Sequence, residues 1–173
     1  MKAPHLEAPN RAEARQELTR ITPLAAILDL DNTCVPLSTS SDDVLDRSLL
    51  LLLDALHAAH IQVAIITRRP RLLVEQMKAQ APQAWWFSDV EASLAEVRER
   101  IPGVRVIAIG DDDALPDLHA GDDLAFGVRS AESACSSARL ILRGPTAVRA
   151  VLWWLVSLRS ATEAPTEVAL RPK

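Results

Sequence analysis

Cysteine is scarce in this chain: of 173 residues only Cys34 and Cys135 are cysteines, far apart in sequence. That excludes a disulfide framework and a cysteine-built zinc site, and it points to the reducing cytoplasm. Cys34 reads as a small buried hydrophobe. Long apolar runs are also missing. The longest leucine run, Leu49 to Leu53, stops at Asp54, and Met1 to Glu7 has no apolar core, so neither a spanning helix nor a secretion signal is expected. There is no basic excess either. The 19 Lys and Arg residues face 23 Asp and Glu, a formal charge of −4, which argues against a dedicated nucleic-acid or anionic-membrane binder. Phosphorylated small molecules stay open as partners. No internal repeat and no low-complexity linker divides the chain, and 49% hydrophobic residues suffice for a single core.

What is present is acid at the ends of apolar runs. Asp29-Leu30-Asp31-Asn32-Thr33 follows Leu24 to Leu28, and Gly110-Asp111-Asp112-Asp113 follows Val104 to Ile109. Both apolar stretches have the length and composition of central strands in a parallel sheet, buried on both faces. Carboxylates crowded at such a rim repel one another unless a cation offsets them, so the pattern predicts a site for a divalent cation and a phosphate. Hard oxygen donors, few and partly hydrated, suit Mg²⁺.

The remaining pattern alternates strands and helices. Ser41-Asp42-Asp43 offers a cap and first-turn acids for a helix to about Ala59; Ile61 to Ile66 is a β-branched strand ending at Thr67; Pro70 opens a helix that Pro82 closes. Trp85 to Phe87 reads as a strand and Val90 to Ile101 as a helix. Leu124 to Val128 and Arg139 to Leu142 read as two further strands, and Gly144-Pro145 opens a last helix to about Arg159. The organisation is a lead-in over 1–20, helical or disordered, a domain over 21–159 and a tail over 160–173. The fold class is α/β, a doubly wound, Rossmann-like parallel sheet. Ligands bind such sheets outside the carboxyl ends of the strands, where the winding reverses. If the strands ending at Asp29 and Gly110 are neighbours, Asp29, Asp31, Asp111 and Asp112 share one crevice, with Thr67 beside it.

These residues resemble the haloacid dehalogenase superfamily. Asp29-Leu30-Asp31-Asn32-Thr33 is similar to its DxDxT motif, Thr67 to its second motif and Gly110-Asp111-Asp112 to its fourth, over about Leu24 to Leu158. The resemblance implies a Mg²⁺-dependent phosphomonoester hydrolase. Asp29 would be the nucleophile that forms an aspartyl-phosphate. Asp31 would act as the acid and then the base, and Thr67 would hold a phosphoryl oxygen. The cation would sit on the Asp29 carboxylate, the Asp31 main-chain carbonyl and Asp111, with Asp112 or Asp113 on its waters. Asn32, Thr33, Arg68 and Lys78 are candidate substrate contacts, and Thr33 has a competing role as the hydroxyl that ties down its turn.

Two departures bear on activity. The family's Lys near the start of the helix before the fourth strand is absent, since that helix begins Asp89-Val90-Glu91. Arg69 is the first choice to replace it and Lys78 the second, against the reading of Arg68, Arg69 and Arg71 as a solvated helix start. The acid often found four residues after Asp111 is Leu115 here. The intervals from Thr33 to Thr67 and from Thr67 to Gly110 leave no room for a cap domain. The later part of the chain looks like both capless 3-deoxy-manno-octulosonate 8-phosphate phosphatases and phosphatases of the trehalose-phosphate type, which implies a sugar phosphate. Rival readings are a catalytically silent member that binds a phospholigand or protein partner, and a signalling receiver domain. An uncapped crevice and the apolar last helix, with Trp153 and Trp154, suggest homo-oligomers or bulky substrates.

Overall fold

The computed structural model describes residues 23–36, 45–110, 124–128 and 140–162. Six strands, β1 (Leu24–Asp29), β2 (Ile61–Ile66), β3 (Trp85–Phe87), β4 (Arg105–Gly110), β5 (Leu124–Val128) and β6 (Leu140–Leu142), form one sheet. Their order is β3-β2-β1-β4-β5-β6 and every pairing is parallel. The first three strands are laid down outward in one direction, and the chain then returns across β1 to continue on its other side. The winding therefore reverses between β1 and β4, the neighbours expected from their acidic ends.

Alternation along β1 serves two cores. Ala26, Leu28 and Leu30 face the larger one, with Leu49, Leu52, Leu53 and Leu56 of α1 (Arg47–Ala58), Met77 of α2 (Arg71–Gln80) and Val151, Leu152 and Leu155 of α4 (Gly144–Thr162). Ala25 and Ile27 face the other, which is closed by Val97 of α3 (Val90–Arg100). Burial on both faces explains why these strands are nearly continuously apolar. The turn from α3 into β4 places Gly103 at φ 73°, a left-handed conformation that glycine adopts without a Cβ penalty.

Three boundaries differ from expectation. α1 starts at Arg47, and its cap is Asp46, whose carboxylate accepts the Leu49 N–H at 2.8 Å; Ser41 to Asp43 lie outside the described residues. Pro70 stands just before α2 as its cap residue, its carbonyl accepting from Leu73 N. α4 continues past Arg159 to Thr162. The expected lead-in and the last eleven positions of the tail, 163–173, also fall outside the description. Trp154 is buried and Trp153 packs partly against the larger core, so the surplus aromatic surface expected on this helix is reduced to one face of Trp153. Among the described residues no helix is long and apolar enough to cross a membrane, and no cap domain is present.

Candidate active site

The register of the central strands assembles the site. Asp29 pairs with Ile66, so Thr67 emerges beside it, and Leu28 pairs with Ile109, which puts Gly110 next to Asp29 on the other side. Leu30 N donates to Ile66 O and Thr67 N to Phe87 O, each at 3.0 Å, carrying the ladder one residue past each strand. The chain then turns sharply. Cys34 N and Val35 N both donate to Leu30 O at 3.0 Å, a bridge joins Asp31 to Val35, and Asn32 adopts φ 59°, a left-handed conformation asparagine tolerates well.

Within this turn the two acids have different partners. The Thr33 hydroxyl, fully buried, donates to Asp29 Oδ2 at 3.2 Å, so it orients that carboxylate from inside and offers no face to a ligand. Asp31 receives Arg69. Arg69 Nη2 lies 2.6 Å from Oδ1, Nε donates to the same oxygen at 3.0 Å, and both side chains are half-buried. Thr67 Oγ1 accepts the Arg69 N–H at 3.2 Å and lies 3.5 Å from Asp31 Oδ2. Asp29, Asp31, Thr67 and Arg69 thus form one constellation at the carboxyl ends of β1 and β2. Asn32 is partly exposed at its rim, and Arg68 is exposed.

Lys78 lies further out on α2, ion-paired with Glu75 at 2.9 Å. It nevertheless shares a cleft of about 360 Å³ with Thr67, Arg69, Arg71, Trp86 and Phe87. The cleft opens at the carboxyl ends of β2 and β3, where a leaving group would lie relative to a phosphate beside Thr67. At the start of α3 there is no cation: Asp89 caps the helix through Ala92 N at 2.9 Å, and the basic residues Arg98 and Arg100 are in its last turn.

Cys34 is fully buried beneath the turn. Burial first, and then the Asp29 and Asp31 carboxylates, push its thiol up to about 12, against a partial downward pull from Arg149. It is therefore a protonated thiol at neutral pH. His57 and His60 precede β2, at the opposite rim of the sheet. Among the described residues the donors at the carboxyl end of β1 are oxygens, the Asp29 carboxylate and the Asp31 carbonyl. That donor set fits Mg²⁺ and not zinc or copper. Among the described residues no three His, Cys, Asp or Glu side chains gather; Asp111, Asp112 and Asp113 lie outside them.

Sequence reasoning missed Arg149 and Asp46. Arg149 Nε and Nη2 each donate to Cys34 O at 3.1 Å, while Nη1 and Nη2 reach Asp46 Oδ1 and Oδ2 at 3.0 and 2.7 Å. No local pattern signals a contact between positions so distant in sequence.

No family model matches the chain, and no curated protein does. Solved structures do match. The 3-deoxy-D-manno-octulosonate 8-phosphate phosphatase of Yersinia pestis is 18% identical, with a TM-score of 0.66 over 93% of this chain and 96% of that one. The Moraxella catarrhalis phosphatase of the same name, in complex with a magnesium ion, phosphate ion and KDO, is 23% identical, with a TM-score of 0.63 over 89% and 96%. The cobalt-bound Haemophilus influenzae phosphatase is 20% identical, at 0.61 over 84% and 92%. The chain therefore shares the Rossmann-like α/β fold of these phosphatases, and its described residues include no cap domain.

Proposed function

We propose that this chain is a Mg²⁺-dependent phosphomonoester hydrolase that works through an aspartyl-phosphate on Asp29, with a sugar phosphate as substrate and the cytoplasm as its compartment. The observation that carries this reading is the convergence of Asp29, Asp31, Thr67 and Arg69 at the carboxyl ends of β1 and β2, beside the point where the winding reverses, although they come from separate segments. Similarity in fold to phosphatases whose names specify a sugar-acid phosphate supports the substrate class.

Each residue has a task. Thr33 holds the Asp29 carboxylate, so that one oxygen attacks phosphorus while the bond to the leaving oxygen breaks. Asp31, two residues on along extended chain, lies on the same side and gives its proton to the leaving oxygen. It then takes a proton from the water that hydrolyses the acyl phosphate. Thr67 donates its hydroxyl to a phosphoryl oxygen. Arg69, with donors in a fixed fork, turns from Asp31 to the phosphate in the role the family gives to Lys. Asp29, the Asp31 carbonyl, Asp111 and Asp112 would hold Mg²⁺, which when bound would neutralise charge on both carboxylate and phosphate.

The test is phosphate release by purified protein from p-nitrophenyl phosphate and a panel of sugar phosphates, with and without Mg²⁺. Turnover should require the metal, and Asp29→Asn should lose several orders of magnitude while its melting transition stays cooperative. Near wild-type release by that variant would overturn the assignment of the nucleophile. Phosphate binding without turnover by wild type would instead favour a phospholigand-binding protein, the reading that the missing Lys motivates.

A further inference from the structure

We propose that Arg149 is a positioning residue for the nucleophile turn, a strap from α4 that sets the geometry of Asp29 and Asp31. The inference rests on the phosphatase reading for its catalytic consequence, but the strap itself is a matter of geometry. Arg149 lies in the second turn of α4, half-buried, with its side chain 19% exposed. Its guanidinium forks in two directions. One edge gives two N–H groups to the main-chain carbonyl of Cys34, and the other binds both oxygens of Asp46. Asp46 is in turn tied to the amino end of α1 through Leu49 N. A single side chain therefore joins α4, the cap of α1 and the end of the turn that carries both acids.

The route to the chemistry is short. Cys34 follows Thr33, whose hydroxyl holds Asp29, and Cys34 N with Val35 N closes the turn on Leu30 O. Displacement of the Cys34 carbonyl would rotate the Cys34–Val35 peptide, whose N–H closes the turn on Leu30 O, and through Cys34 would shift Thr33 and the hydroxyl that aligns the nucleophile. An in-line attack tolerates little of this, since a misplacement of about 1 Å costs on the order of 10²-fold in rate. Lysine cannot replace this arginine. An ammonium is a point charge without the planar fork, and cannot serve one carbonyl and two carboxylate oxygens together. An ordinary surface ion pair, by contrast, would be restored by lysine and would leave the turn unaffected.

The experiment uses the full chain in a Cys135→Ser background, so that Cys34 is its one thiol. Arg149→Ala, Arg149→Lys and Asp46→Asn are compared by the rate at which dithiodipyridine modifies Cys34, by kcat and KM for p-nitrophenyl phosphate with Mg²⁺, and by thermal melting. Arg149→Ala and Arg149→Lys should both expose Cys34 at least about tenfold faster through local opening. Both should lose roughly 10- to 100-fold in kcat with KM within about twofold, while the melting transition stays cooperative. Asp46→Asn, which keeps the helix cap but weakens the fork, should show the same changes to a smaller degree. Wild-type protection and kcat in Arg149→Lys would overturn the proposal. Should Arg149→Ala fail to fold, the other two variants decide. Should wild type lack phosphatase activity, the phosphatase reading fails, and unchanged or accelerated Cys34 modification still rejects or supports the strap.

Discussion

Arg69 and Lys78 were the two candidates for the missing cation, and their surroundings separate them. Arg69 is half-buried, anchored on Asp31 and Thr67 at the strand ends; Lys78 is 41% exposed and paired with Glu75 on the outer part of α2. An exposed pair of that kind contributes less than about 1 kcal/mol. Arg69→Ala should raise KM and lower kcat together, and Lys78→Ala should do little, as steady-state kinetics will show; the opposite ranking would transfer the role to Lys78. Cys34 sets a second test. Its proton is held in the folded state up to about 12 but released near 9.0 in the unfolded chain. The thiol's contribution to stability is therefore complete below pH 9 and is lost as pH rises towards 12, at up to about 1.4 kcal/mol per pH unit. Tyrosine, which would titrate in the same range, is absent from the chain. Urea unfolding between pH 8 and 11 should show a steeper alkaline loss in wild type than in Cys34→Ala.

At the level of elements, α1 shows how packing resolves a run that composition leaves uniform. Leu49 to Leu53 are identical side chains, yet Leu49, Leu52 and Leu53 are buried against the sheet and α4, Leu50 is partly buried, and Leu51 is 53% exposed. The 3.6-residue period decides this, since five consecutive positions sweep more than a full turn. Leu52→Ala should cost about 2–5 kcal/mol in urea unfolding. Leu51→Ala should stay within about 0.5 kcal/mol. Equal losses at both positions would mean that the outer face of α1 is covered in solution. The same helix explains a misjudged boundary. Ser41 with Asp42 and Asp43 has the residue types of a helix start, but Asp46 is the acid that reaches an open N–H of α1 and is also held by Arg149, whose hydrogen bonds draw its carboxyl below the ordinary value. The cap of α1 is Asp46, and a contact from α4 goes with it.

For the whole molecule, the consequential feature is the return of the chain from β3 across β1 to β4, which sets side by side the carboxyl ends of two strands that are each followed by acids in the sequence. Removing a carboxylate from such a crowd should stabilise the metal-free protein. Metal-free Asp111→Asn should thus melt above metal-free wild type, while gaining less from added Mg²⁺. For wild type, Mg²⁺ at about 100 times its Kd stabilises by about 2.7 kcal/mol, a shift that thermal melting resolves readily. A melting temperature below that of wild type for the metal-free variant would show that Asp111 is not part of the cluster.

The sequence by itself determined the elements and their chemistry. Apolar runs of strand length, helical spacing between them and acids at their ends made β1 to β4 and the paired acids Asp29 and Asp31 legible, because these signals are local and come from burial on both faces of a sheet. It also placed Thr67 and Arg69 together, since they are neighbours along one strand end. Only the tertiary structure decided which acid Arg69 meets, that Thr33 is sealed beneath Asp29, and that Arg149 grips Cys34 and Asp46. The Arg69 and Arg149 contacts depend on strand register and on the docking of helices across 38 to 115 positions of sequence. Such contacts leave no periodicity in the chain. They arise when the sheet orders its strands and α4 closes over the larger core, which brings side chains without any local relation within hydrogen-bonding reach.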